Sequence, residues 1–271
     1  MPSPTATLDQ PYALDDEAVS AFDRDGYVRL PGALDPASLR ELEPEITARV
    51  LELNTVHAPM AERTTTQKAF LQVGNLWRHS DAARSLVYST RLAGIAARLL
   101  GVPSVRLYAD QALYKEPGGG ITPWHADQYY WPFASDRICT VWIPLQDTPS
   151  EMGPLAFAAG SHRFEFGRDL PISDESEAAL QEALHEARFP VDASPYALGD
   201  VSFHLGWTFH RAEQNVSTEP RRVMTVIYMD AAMRIAPLVR PQQQRELDLL
   251  MPGAQVGDIP ETPLNPMLYA G

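Results

Sequence analysis

The chain has 271 residues, 45% hydrophobic and 21% charged, ordinary values for a water-soluble globular protein able to bury a large core. No apolar run approaches the roughly 18 residues that cross a bilayer, and a net charge of -13 opposes a phosphate-binding groove for nucleic acid. The single cysteine, Cys139, excludes an intramolecular disulfide and any multi-cysteine metal site, so a bound metal would need histidines and carboxylates.

The opening "MPSPTATLDQPYALDDEAV" has neither the basic nor the apolar region of a signal peptide, which predicts a cytoplasmic protein with residues 1–12 flexible. "GYVRLPG" (26–32) reads as a short strand. Asp35 as N-cap and Pro36 at the first helical position begin an amphipathic helix with Leu39, Leu42, Ile46, Val50 and Leu53 on one face. Residues 81–101 form one broken helix or two consecutive helices, closed by Gly101.

After Gly101 the texture turns to short β-rich runs punctuated by Pro and Gly. Strands are predicted at 104–116, 121–128, 137–146, 154–158, 188–192, 200–205, 207–211 and 221–230, with helices near 174–187 and 241–250. That is a jelly-roll count. The sequence therefore predicts a mainly β protein with helical additions in one domain, 1–271: a helical layer (13–101), a jelly-roll core (102–235) and a C-terminal cover over one barrel mouth (236–271).

"PWHADQYYWP" (123–132) contains an H-x-D pair, and residues i and i+2 share one face of a strand, so His125 and Asp127 can reach one ion. A second such pair, His79 and Asp81, precedes a helical pattern, where Asp81 serves as a helix cap. His204 and His210 are both candidates for a third ligand, with Gly206 expected to break the strand between them and leave one of them structural. The residues downstream favour His210. Arg221 opens the strand "RRVMTVIYM", and a hairpin from His210 to Arg221 would set a guanidinium deeper in the same barrel, unless Arg221 is an ordinary surface charge like its neighbour Arg222. Two histidines and a carboxylate on one face of an ion are the facial triad of non-haem Fe(II) oxygenases, and a guanidinium beyond it suits the far carboxylate of a diacid co-substrate.

The ordered blocks "FDRDGYVRLPGALDPASL", "DQALYKEPGGGITPWHADQYYWP", "VWIPLQDTPSEMGPLAFAAGSHR" and "GDVSFHLGWTFHRAEQNVSTEPRR" resemble the phytanoyl-CoA dioxygenase family of Fe(II)- and 2-oxoglutarate-dependent oxygenases. The resemblance covers nearly the whole chain. It implies a double-stranded β-helix (cupin-like jelly roll), with His125, Asp127 and His210 as metal ligands and Arg221 as the anchor of 2-oxoglutarate. His162, in "AAGSHR", is similar to a structural turn. Related halogenases replace the carboxylate by a small residue; Asp127 is present, which disfavours halogenation.

The implied cofactors are Fe(II), 2-oxoglutarate and O2, and the implied reaction hydroxylates an unactivated C–H of a small metabolite with release of succinate and CO2. Desaturation, cyclisation and epimerisation share this chemistry. Gln111, Lys115 and Thr140 are candidates to contact the co-substrate, and Tyr129, Trp131 and Trp142 to form a substrate wall, with Tyr130 beside them; barrel filling is the alternative for these aromatics. No basic cluster for coenzyme A phosphates stands out, so a small neutral or cationic substrate is expected. The rivals from other classes are a non-catalytic metal- or ligand-binding jelly roll and a zinc hydrolase.

Overall fold

Small polar caps start the helices of the first hundred residues, and glycines end two of them. In the structure, a computed structural model describing residues 4–271, Asp15 accepts the Ala18 N–H to open α1 (Asp16–Asp25). Gly26 closes it at φ 78°, and a side chain there would collide with His162 and Thr208. β1 (Tyr27–Leu30) follows. α2 (Pro36–Leu53) begins as the sequence predicts, with Asp35 accepting the Ser38 N–H and Pro36 at the first position. Its buried face is Leu39, Leu42, Ile46 and Val50, with Leu53 partly covered.

α3 (Thr65–Ala69) and β2 (Leu71–Gly74) come next. The segment 81–101 is two helices, α4 (Asp81–Val87) and α5 (Thr90–Leu100), capped by Ser80 and Ser89 and ended by Gly101. Asp81 is thus the first helical residue and not the cap; Ser80 accepts the Ala83 N–H because its shorter side chain precedes the first turn. The predicted looseness of residues 1–12 falls partly outside the described residues. Within them, Leu8 is buried in the main core and its carbonyl accepts the Ser89 hydroxyl at 2.6 Å.

The rest of the chain supplies β3 (Ser104–Tyr114), β4 (Thr122–His125), β5 (Ile138–Pro144), β6 (Leu155–Ala158), α6 (Asp174–Glu186), β7 (Val191–Asp192), β8 (Val201–Leu205), β9 (His210–Ala212), β10 (Val223–Asp230), α7 (Pro241–Leu250) and β11 (Met267–Ala270). All pairings are antiparallel. A seven-stranded sheet runs β1-β8-β5-β10-β3-β11, with β2 also on β3, and a four-stranded sheet runs β4-β9-β6-β7. The eight core strands appear, and the predicted helical layer and tail lend three more to the larger sheet. β11 makes the end of the C-terminal segment an edge strand beside β3.

Residues of the seven-stranded sheet alternate between two buried faces. Cys139, Val141 and Ile143 of β5, Val201 and Phe203 of β8, and Met224, Val226 and Tyr228 of β10 join the helices in one core. Each such aliphatic side chain contributes about 1.5–3 kcal/mol when fully buried. The intervening residues, Thr140, Trp142, His204, Thr225 and Ile227, line an interior cavity. On β3 a bulge opposite Ile227/Tyr228 shifts the phase. Val105 and Leu107 face the helical core before it, Ala112 and Tyr114 after it, which leaves Gln111 and Leu113 to line the cavity. α6 closes the outside of the four-stranded sheet, with Leu180 and Leu184 against Trp124 and Phe209. α7 closes one end with Leu247 and Leu250 in a cluster with Trp131, Ile227 and Met229. No helix among the described residues is long and apolar enough to cross a membrane.

Candidate metal centre and co-substrate pocket

His125 ends β4 and His210 begins β9, and the two are cross-strand partners, with ring centroids 4.1 Å apart. Asp127 does not lie on the strand, as the i, i+2 argument required. The chain leaves β4 after His125 into a 3-10 turn, Asp127–Tyr129, and that turn swings the carboxylate back to the two rings. The turn is held by the Gln128 N–H donating to the Gly206 carbonyl at 2.9 Å. Gly206 is required there, because a Cβ would meet Gln128 Oε1 at 2.4 Å and the Trp131 ring at 2.6 Å. It also ends β8, as expected, and lets the chain turn into β9.

The donor chemistry of the three side chains is fixed from outside. His125 Nδ1 donates to Pro123 O at 2.7 Å and His210 Nδ1 to Thr208 O at 2.9 Å. A carbonyl only accepts, so each ring carries its proton on Nδ1 and turns the Nε2 lone pair inward. Both Nε2 atoms lie 3.6 Å from Asp127 Oδ1. Three acceptors therefore converge, all ligand atoms lying within 4.8 Å of one another, a donor set that suits a cation between them. Among the described residues this is the one such cluster of three; His79 and Asp81 belong to none. Burial pushes both imidazoles down, from 6.5 to about 4, with His210 reinforcing the effect on His125 and Asp127 opposing it on both. Burial would raise Asp127, but His210, His204 and His125 together hold it well below the usual carboxylate range. The ligand set is thus deprotonated at neutral pH, as metal binding requires.

Arg221 comes from the other sheet. β9 and β10 do not form the predicted hairpin, because β9 pairs with β4 and β6, whereas Arg221 bridges Lys115 at the entry to β10. The guanidinium still enters the cavity. It is 2% exposed, Nη1 donates to Gly153 O, its Cζ lies 5.6 Å above the Trp142 ring, and Nε has no partner. No carboxylate among the described residues pairs with it. Burial lowers it to about 10, still a cation at neutral pH, and an uncompensated buried ion costs several kcal/mol. A buried cation facing a cavity beside the triad fits a bound anion.

The cavity holds about 410 Å3 and is lined by the triad, Arg221, Gln111, Thr140, Trp142, Trp131 and Thr225, a size suited to small molecules. Tyr130 also lines it, its hydroxyl accepting the Ile172 N–H at 2.9 Å. Two candidates sit elsewhere. Lys115 lies behind the wall with its Nζ donating to Gly120 O, Glu213 O and Thr122 Oγ1, so it clamps the loop before β4 to the chain after β9. Tyr129 faces away from the cavity, under the Arg240 guanidinium at 4.5 Å. Both corrections share a cause: the face of a residue past a strand end is set by the adjoining turn, not by alternation.

Sequence reasoning missed the mouth of the cavity. Thr66 and Phe70 reach it from α3 and its C-cap, Gln72 from β2, and Gln242, Arg245 and Glu246 from α7; nothing in those local patterns distinguishes a pocket rim from a helix surface. A larger open groove of about 950 Å3 lies between α6 and the outer face of the four-stranded sheet and shares no residue with the cavity.

Fold and site together define a jelly-roll protein with the two-histidine, one-carboxylate triad of non-haem iron oxygenases. The phytanoyl-CoA dioxygenase family (PhyH) matches residues 22–223, and the chain belongs to that family. It is 26% identical over 233 residues to the 1-deoxypentalenic acid 11-beta-hydroxylase of Streptomyces exfoliatus, covering 80% of this chain and 79% of that one. It is 28% identical over 170 residues to a probable alpha-ketoglutarate-dependent hypophosphite dioxygenase of Stutzerimonas stutzeri, where the match spans 61% of this chain and 59% of the relative. Among solved structures it is similar to the non-heme alpha ketoglutarate dependent carbocyclase SnoK from nogalamycin biosynthesis, with a TM-score of 0.78 and 28% identity over 96% of this chain and all of that one. The epimerase SnoN, solved with Fe3+, alpha ketoglutarate and nogalamycin RO, gives a TM-score of 0.78 and 28% identity over 98% of this chain and all of SnoN.

Proposed function

We propose that this protein is an Fe(II)- and 2-oxoglutarate-dependent oxygenase that hydroxylates an unactivated C–H of a small molecule and releases succinate and CO2. One observation carries the reading: three convergent acceptor atoms and a buried guanidinium with no carboxylate partner line one cavity from facing sheets. A metal-binding jelly roll without turnover has no use for the second feature, and in a zinc hydrolase Arg221 has no role.

Ferrous iron, 2-oxoglutarate and dioxygen supply the oxidising chemistry when bound. His125, Asp127 and His210 would hold the metal, leaving the cavity beside them to small molecules. Arg221 binds the far carboxylate of the diacid through the donors not committed to Gly153, and Gln111 stands on the neighbouring strand β3 to contact it, the one Thr140 hydroxyl proton being engaged by Asp127. Phe70, Tyr130, Trp131 and Ile227 exclude water from the remaining volume, where the substrate's C–H is positioned.

Ring closure or epimerisation is the second reading, supported by likeness to a carbocyclase and an epimerase along almost the whole chain. The same binding steps serve it. The test is an anaerobic titration with Fe(II) and 2-oxoglutarate, then a screen for substrate-stimulated succinate release in air. Tight metal binding with no succinate from any compound, and no uncoupled turnover of 2-oxoglutarate, overturns the oxygenase reading.

A further inference from the structure

The second histidine of "HLGWTFH" is a triad member, and the first, His204, sits on the opposite sheet, 2% exposed. Its Nε2 lies 3.4 Å from Asp127 Oδ2, and the Thr140 hydroxyl donates to that same oxygen at 3.2 Å. The two oxygens of Asp127 are thus in different surroundings: Oδ1 faces two Nε2 lone pairs, and Oδ2 faces two donors.

The tautomers differ accordingly. His125 and His210 have Nδ1–H groups tied to backbone carbonyls, whereas His204 Nδ1 has no partner, and a carboxylate facing its Nε2 calls for the proton there. A ring that presents N–H to a carboxylate has no lone pair for a metal at that atom.

We propose that His204, with Thr140, is a positioning residue for the metal centre: it holds Asp127 Oδ2 and so presents Oδ1 alone to the ion. The inference rests on the metal-site reading above and deepens it. A carboxylate free to rotate can offer both oxygens to a metal; with Oδ2 engaged by His204 and Thr140, Asp127 would offer Oδ1 alone.

The test uses the metal alone. Apo-protein is titrated anaerobically with Co(II), reading affinity and the ligand-field spectrum, for wild type, His204→Phe, His204→Gln, Thr140→Val, and His125→Ala as a control. Outer-sphere hydrogen bonds of this kind are worth about 10–100-fold in metal affinity, so His204→Phe is expected to bind Co(II) about that much more weakly with shifted bands. His204→Gln keeps an N–H within reach of Oδ2 and is expected to restore most of both. A packing role predicts the reverse order, since Phe fills the ring's place between Phe157 and His210 and Gln does not.

Wild-type affinity and spectrum in His204→Phe, or a poorer result for Gln than for Phe, overturn the inference. Thr140→Val leaves the ring untouched and is expected to lose less, in the same direction; unchanged affinity there overturns the inference even if His204→Phe cannot be purified. Co(II) binding that survives His125→Ala overturns the metal-site reading itself, a separate outcome.

Discussion

On β5, Cys139, Val141 and Ile143 face the helices while Thr140 and Trp142 face the four-stranded sheet, and all five are buried. β8 and β10 repeat the division. The helix-facing side is a continuous apolar layer; the other side carries His204, Thr225 and, at the entry to β10, Arg221 around a cavity. Burial is equal on the two sides, so exposure does not separate core from site. Convergence does: the helical side leaves only scattered polar atoms such as the Tyr228 hydroxyl without a partner, whereas the inner side carries a cation without an anion, facing the lone pairs that converge from the four-stranded sheet.

The sharpest way to break this comparison is to remove one lone pair. His210→Ala is expected to abolish metal binding and all turnover while leaving the fold intact, since it relieves the convergence; loss of the far-ultraviolet circular dichroism signal instead would show the inner face to be structural. Next, Arg221→Ala should keep the metal and lose about 2–5 kcal/mol of 2-oxoglutarate affinity, the usual cost of truncating one partner of a buried charge pair, read by calorimetry on the metal-loaded protein. On the opposite face, Ile143→Ala should lower the unfolding free energy by about 2–5 kcal/mol, seen in urea titration, with KM for 2-oxoglutarate unchanged.

Acid offers a milder test. His125 and His210 take up a second proton only below about 4 in the fold, against 6.5 ordinarily. Between those values the unfolded chain binds more protons, so stability is full above pH 6.5 and declines as pH falls towards 4. Urea midpoints of the metal-free protein at pH 7 and pH 5 should show the decline, and a His125→Gln, His210→Gln double variant should flatten it. Smallest is Arg49→Ala, which breaks an exposed i,i+3 pair with Glu52 at 2.5 Å and should change stability by less than about 1 kcal/mol.

Much of the site is legible in the sequence because its determinants are local. Asp35-Pro36, Gly101 and the 3.6-residue spacing of α2 each act within a few residues. His125, Asp127, His210 and Arg221 do come together, but two of the geometric reasons for grouping them are not those the structure uses. Asp127 reaches the rings from a 3-10 turn, and Arg221 reaches the cavity from the facing sheet. Lys115 and Tyr129 fall outside the cavity for a related reason, lying just where alternation stops.

By itself the sequence determined which residues could hold a cation, where the helices start and stop, and which strands alternate, because caps, periodicity and donor type are properties of neighbouring residues. Only the tertiary structure decided that His204 faces the far oxygen of Asp127, that α7 and β2 rim the cavity, and that Lys115 serves the backbone. Those outcomes depend on which sheet each strand joins, and strand pairing is settled by contacts between residues distant in the chain, which no local pattern encodes.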